Sequence, residues 1–190
     1  HTRSDRDWSS DVCSSDLTTV LAANGEETAT LVGQGANRQY VTIDEIPLDL
    51  QHAFVAIEDE RFYDHNGIDL HGIGRAFISG LSKGRFSEGA STITQQLIKN
   101  NVLTSWTSET SFVEKLQRKI QEQYLALELE KQVNDKDWIL ENYMNSVNLG
   151  ANTLGVQAAS KKYFNKDVSE LTLSEASVIA GITQNPSGYN

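Results

Sequence analysis

The apolar positions change period along the chain, and the changes divide it. Residues 1–17, HTRSDRDWSSDVCSSDL, show no period, almost no apolar content and repeated Ser-Asp pairs. That composition predicts a disordered tail. Thr18 to Ala22 and Thr28 to Val32 are short extended runs on either side of Asn24-Gly25, a favoured hairpin dipeptide. Gln39 to Ile43 is a third extended run, and Pro47 closes this small β region. From residue 49 the spacing turns helical. Leu50, Ala53, Phe54, Ile57 and Phe62 fit one helix, and Ile73, Phe77, Ile78 and Leu81 place a second over 70–82. A loop at 84–89 leads to a helix from Thr92 to Leu103, and Thr104 to Thr110 is a polar loop. Ser111 and Glu114 form a capping box that starts a helix running to Val133. Asn134 caps the next helix, Lys136 to Val147. Two more follow over 154–164 and 172–182, the last opened by a Thr172-x-x-Glu175 box.

On a wheel of about 100° per residue, Phe112, Leu116, Ile120 and Leu127 form one apolar stripe of the long helix. Leu125 and Leu129 form another on the far side, with Lys115, Lys119, Glu122 and Ala126 in the sector between. A helix apolar on two sides is expected at the centre of a fold. Charged groups on such a helix either pair or line a cleft. The wheel alone leaves open a structural ion-pair face or a site at Lys119 and Glu122.

Composition narrows the class. The 190 residues are 38% hydrophobic and 22% charged, as in an ordinary globular domain. Both prolines, Pro47 and Pro186, lie outside 48–185, which favours a helix-rich domain. A net charge of −10 argues against a nucleic-acid partner. No apolar run reaches the ~18 residues that read as a membrane span. The single Cys excludes a disulfide framework or multi-Cys zinc site. Asp7 to Leu17 also back-translates to a common sequencing-adapter oligonucleotide, so 1–17 reads either as an assembly artefact or as a polar tail. With its two Arg and four Asp set aside, the remaining chain carries −8 and no Cys.

Two segments concentrate chemistry. Ala56 to Gly67 packs four carboxylates and His65 at the end of an apolar helix, which composition alone reads as a solvated face. Gly89 to Asn100 runs a small-residue loop into a helix N-terminus, an arrangement suited to anions or to an ordinary N-cap.

Together these residues resemble the peptidoglycan glycosyltransferase domain of class A penicillin-binding proteins and their monofunctional relatives. The first motif, Glu-Asp-x-x-Phe-x-x-His-x-Gly, is matched by Glu58, Asp59, Phe62, His65 and Gly67. The second, Gly-x-Ser-Thr-x-Thr-Gln-Gln-x-x-Lys-Asn, is matched from Gly89 to Asn100. The third is matched by Arg118, Lys119, Glu122 and Ala126, and the fourth by Ile139, Leu140, Glu141, Tyr143 and Asn145. Lys162-Tyr163-Phe164, Leu173 to Ala176 and Ala180 to Pro186 also look like the family. The likeness covers 46–190 strongly and 18–45 loosely. Ala90 stands where many relatives have Gly, Ser105 to Phe112 reads as an insertion, and the chain ends before the family's last motif.

The resemblance implies a mainly α, lysozyme-like helical glycosyltransferase domain over 49–190, truncated at its C-terminal end, with a small β region or linker over 18–48. It implies polymerisation of lipid II into β-1,4-linked glycan with release of undecaprenyl pyrophosphate. Glu58 and Glu122 are then the catalytic pair, Glu58 as base. Arg118 and Lys119 would face the leaving pyrophosphate, with Glu122 orienting them or holding a divalent ion. Ser91, Thr92, Gln95, Gln96, Lys99 and Asn100 would line the donor side, Asp59 and His65 would mainly hold the loop, and Tyr143 and Asn145 would be structural. No cofactor is obligatory, though Mg2+ or Mn2+ could sit at the pyrophosphate. The implied partners are lipid II, the growing glycan strand, the extracytoplasmic face of a bacterial membrane through an anchor missing from this stretch, and a fused transpeptidase domain. A lysozyme-like hydrolase or lytic transglycosylase, or a non-catalytic cell-wall scaffold, are the competing readings.

Overall fold

The computed structural model describes residues 18–21, 27–31, 39–75, 91–102, 111–151 and 153–188. The Asn24-Gly25 turn, the helix beyond residue 75, the loops at 84–89 and 104–110, Ala90 and the 1–17 tail lie outside the described residues. Strands β1 (Thr18–Leu21) and β2 (Glu27–Leu31) pair antiparallel, Thr18 opposite Leu31, with a bulge between Val20 and Leu21. Among the described residues, six longer helices follow: α1 (Leu48–Glu58), α2 (Ile93–Asn101), α3 (Phe112–Val133), α4 (Lys136–Ser146), α5 (Val156–Phe164) and α6 (Leu173–Ile182). A helical turn also opens at 70–75.

Helix α1 packs on α6, and α2 packs on both α3 and α4. Leu50, Phe54, Phe62, Ile139, Leu140, Tyr143, Met144 and Ile179 meet in the core with no exposure. Phe54 and Tyr143 join α1 to α4 edge-to-face, with ring centroids 6.0 Å apart. The capping boxes at Ser111/Glu114 and Thr172/Glu175 form as expected. Lys166, with the Thr172 backbone and hydroxyl, holds the Glu175 carboxyl down to about 2. That clamp is present above the ordinary carboxylate range and is released only as pH falls toward that value.

Four expectations need correction. The run 39–43 is not a strand: residues 39–42 are irregular and Ile43–Glu45 form a 3-10 turn. Its backbone pairs with side chains of α4 instead. Asn145 Oδ1 accepts from the Val41 N–H at 2.9 Å and its Nδ2 donates to the Val41 carbonyl at 2.8 Å, and Glu141 accepts from the Ile43 N–H. One Asn thus does the work of a neighbouring strand. Second, α1 ends at Glu58, so Phe62 lies in the turns that follow. Third, Asn134 is the left-handed C-cap of α3 (φ 49°), and Asp135 is the N-cap of α4, accepting from the Asp137 and Trp138 N–H groups.

Fourth, α3 is not the central helix; α2 and α4 are the buried ones, α2 through Ile93, Thr94, Gln95, Leu97 and Ile98 and α4 through Ile139, Leu140, Tyr143 and Met144. The stripe expected inside is outside: Leu116 is 50% and Ile120 58% exposed. The sector between the stripes faces the protein, through Glu122, Ala126 and Glu130. Those carboxylates can be buried because each is paired. Glu130 accepts from Lys136 and from Thr94 Oγ1 at 2.6 Å.

Candidate active site

Glu58 is the last residue of α1, and its carboxylate collects three donors from two other segments. Gln96 Nε2 on α2 donates to Oε2 at 2.8 Å. Thr183 Oγ1 and Gln184 Nε2, just past α6, both donate to Oε1, the latter at 3.0 Å. Helix C-termini meet here, and their carbonyl ends repel an anion; the donors offset that. The Gln96 amide cannot turn over without loss, because Tyr143 Oη donates to its Oε1 at 3.3 Å. Burial, with the nearby charges of Glu58 and Asp59, pushes the Tyr143 phenol well above its usual value, so it remains a donor. The chain Tyr143–Gln96–Glu58 therefore has one direction.

Beneath Glu58 lies a rigid pedestal. Asp59 is buried, and its Oδ2 accepts from the Ile93 N–H at 3.0 Å, at the start of α2. His65 Nε2 sits 2.9 Å from the same carboxylate. His65 Nδ1 accepts from the Gly67 N–H at 3.1 Å, so the ring proton belongs on Nε2, facing Asp59. The Gly67 carbonyl takes the Thr92 hydroxyl at 2.8 Å and the Gln95 amide at 3.3 Å. Lys136 bonds the His65 carbonyl at 2.7 Å and lies 4.4 Å over the Phe62 ring. The site loop is thus held from the start of α2 and from α4 together.

Gly67 is required at this point. Its φ is +88°, and an added Cβ would stand 2.6 Å from the Ala126 carbonyl oxygen of α3. Gly67→Ala is expected to lower stability by about 2 to 3 kcal/mol through backbone strain and this clash. A thermal melt within a degree of wild type would contradict it.

A second cluster sits on α3. Glu122 is 1% exposed; Arg118 holds its Oε1, and Lys119 Nζ lies 2.9 Å from its Oε2. Lys119 also donates to Ser91 Oγ at 2.9 Å, tying α3 to the loop before α2. Both Glu122 oxygens face cations, which disfavours a divalent ion on that carboxylate while Arg118 and Lys119 hold it. Gln96, Lys99 and Asn100 share one side of α2 within a turn, with Lys99 exposed and Asn100 half-buried.

A polar pocket of about 120 Å³ opens beside Glu58, lined also by Asp59, Arg61, Arg75, Ser91 and Thr92. An apolar groove of about 270 Å³ between α2, α3 and α4 contains none of Glu58, Asp59, Ser91 or Lys119. The polar pocket is therefore the candidate site: it brings residues of two motifs to one wall, and Ser91 links it to the third. Residues 24–190 match the model of the family described as Transglycosylase. The chain belongs to the transglycosylase family. It is 50% identical over 159 residues to "Penicillin-binding protein 1A" of Clostridium botulinum (strain Langeland), covering 80% of this chain and 18% of that protein. It is 44% identical over 171 residues to "Penicillin-binding protein 1F" of Bacillus subtilis, covering 90% of this chain and 22% of that one. The chain thus spans about a fifth of these relatives' length.

In this transglycosylase, then, glycosyl transfer is the chemistry class, and the fold is the expected mainly helical one. Thr183 and Gln184, like the pocket-lining Arg61 and Arg75, had no role assigned from the sequence. Their signal was the Ile-Thr-Gln-Asn-Pro run after the last apolar helix, whose polar side chains have no helical face to serve. Arg61 is locked by Asp69 through two bonds, and Arg75 lies 3.9 Å from Glu60. No described helix is long and apolar enough to cross a membrane.

Proposed function

We propose that this transglycosylase is a peptidoglycan glycosyltransferase that joins lipid II units into β-1,4-linked glycan strands and releases undecaprenyl pyrophosphate. The observation that carries the reading is the Glu58 carboxylate, oriented by Gln96, Thr183 and Gln184 on the wall of a polar pocket that also holds Ser91, the anchor of Lys119. A sugar hydroxyl is a weak nucleophile and needs a positioned base. Glu58 takes the proton of the acceptor's 4-hydroxyl as that oxygen bonds the donor's anomeric carbon. The bond from that carbon to the pyrophosphate oxygen breaks on the opposite face, its electron pair leaving with the pyrophosphate, so the configuration inverts. Lys119 and Arg118 meet the charge that develops on the leaving group. Glu122 acts through them, as the buried counter-charge that sets their direction. Thr92 and Gln95 act through the Gly67 carbonyl, and Lys99 and Asn100 extend the donor side along α2.

Lys119→Ala is expected to lower kcat on lipid II by about 10² to 10³, the usual loss for one electrostatic contact to a transition state. Glu122 keeps Arg118, so the fold should survive. Unchanged kinetics would remove Lys119 from the reaction. The greater length of the relatives and the words "penicillin-binding" in their names support a longer polypeptide with a further, penicillin-binding domain, which we propose to be a transpeptidase working with this one at the extracytoplasmic membrane face. Product analysis tests the function. Lipid II should give lengthened glycan, and isolated sacculi should remain intact. Shortened sacculus glycan with no polymer from lipid II would indicate a lytic enzyme instead.

A further inference from the structure

We infer that Thr183 is a positioning residue that serves Glu58 in both of its protonation states. The inference rests on the reading of Glu58 as the base. Thr183 Oγ1 has one proton and two acceptors in reach: Glu58 Oε1, and the Ala180 carbonyl of α6 at 2.7 Å. With Glu58 ionised, the charge-assisted bond is the stronger, so the hydroxyl points at the carboxylate. The Ala180 carbonyl then keeps the Thr183 backbone N–H as its donor.

The demand reverses during transfer. Once Glu58 holds the acceptor's proton, it needs an acceptor for its own O–H. Gln96 and Gln184 present NH2 groups to it, and an amide nitrogen accepts nothing. The Gln96 oxygen is occupied by Tyr143, and exposed Gln184 would have to turn its amide over. Thr183 needs only a rotation of its hydrogen toward the Ala180 carbonyl, after which Oγ1 accepts from protonated Glu58. No heavy atom moves. The proton taken from the sugar stays on Glu58 until solvent removes it, and the Thr183 proton never leaves its oxygen.

The test compares kcat and KM for polymerisation by the full-length protein, with Thr183→Val, Thr183→Ala, Thr183→Ser and Glu58→Gln. Val and Ala should each lower kcat about tenfold, the value of one hydrogen bond to a charged group, with KM within about twofold. Ser should restore kcat to within about twofold, and melting temperatures should stay within a few degrees. In a Glu58→Gln background, Thr183→Val should change nothing further. Wild-type kcat in both Val and Ala, beside an inactive Glu58→Gln, would overturn the role of Thr183 alone. A Ser variant as slow as Val would also overturn it, by making the methyl group's packing the cause. An active Glu58→Gln would remove the base and this role together.

Discussion

Asp59→Ala is expected to cost the transglycosylase about 3 kcal/mol of stability, because two donors lose a charged acceptor in a buried place. The two donors are the Ile93 N–H, which starts α2, and His65 Nε2–H. At this chain length the loss corresponds to a melting temperature roughly 10 °C lower. The informative variant is Asp59→Asn. A carbonyl in place of Oδ2 could still take the Ile93 N–H and would lie 2.9 Å from His65 Nε2, but the NH2 in place of Oδ1 would stand 3.0 Å from the same Nε2–H, donor against donor. His65 cannot exchange tautomers to relieve this, since its Nδ1 accepts from Gly67. Asn should therefore recover less than half of the loss. Thermal unfolding, with hydrogen exchange read at Ile93, checks both variants. An Asn variant as stable as wild type would show that the His65 contact carries little weight.

Much of this was legible in the sequence because it was local. Capping boxes at Ser111 and Thr172 fix helix starts within four residues, and both form. Asn134-Asp135 was ambiguous because either residue can cap. Which one ends α3 and which starts α4 depends on the chain's direction after Val133. The run 39–43 had extended character, but its partner is a side chain 104 residues away, and no local pattern shows that. Helix α3 was turned inside out for a physical reason. Hydrophobic periodicity assumes that charged residues face water, whereas here Glu122 and Glu130 are buried with their cations while Leu116 and Leu127 face out; only the Leu125 and Leu129 stripe stays half-buried against the protein. The motif carboxylates and Lys119 were visible from the resemblance. Thr183 was not, because its value comes from the meeting of the ends of α1 and α6, 125 residues apart.

Glu58→Gln has the largest expected effect on turnover. The substitution keeps the side chain's shape and its place at the end of α1, but it removes the lone pair that accepts the sugar proton. A positioned general base contributes roughly 10² to 10⁴ in rate. The loss should fall near the upper end, because the new amide NH2 would also meet either the Gln96 amide or the Thr183 and Gln184 donors, all of which orient the present carboxylate. Stability should barely change: Glu58 is only half-buried, and Asp59 carries the pedestal. The most direct measurement is the rate of glycan formation from lipid II by full-length wild type and Glu58→Gln, beside their melting curves. A fall of about 10³ or more with melting temperatures within a few degrees is expected. A folded Glu58→Gln polymerising within tenfold of wild type would contradict the assignment of Glu58 as the base.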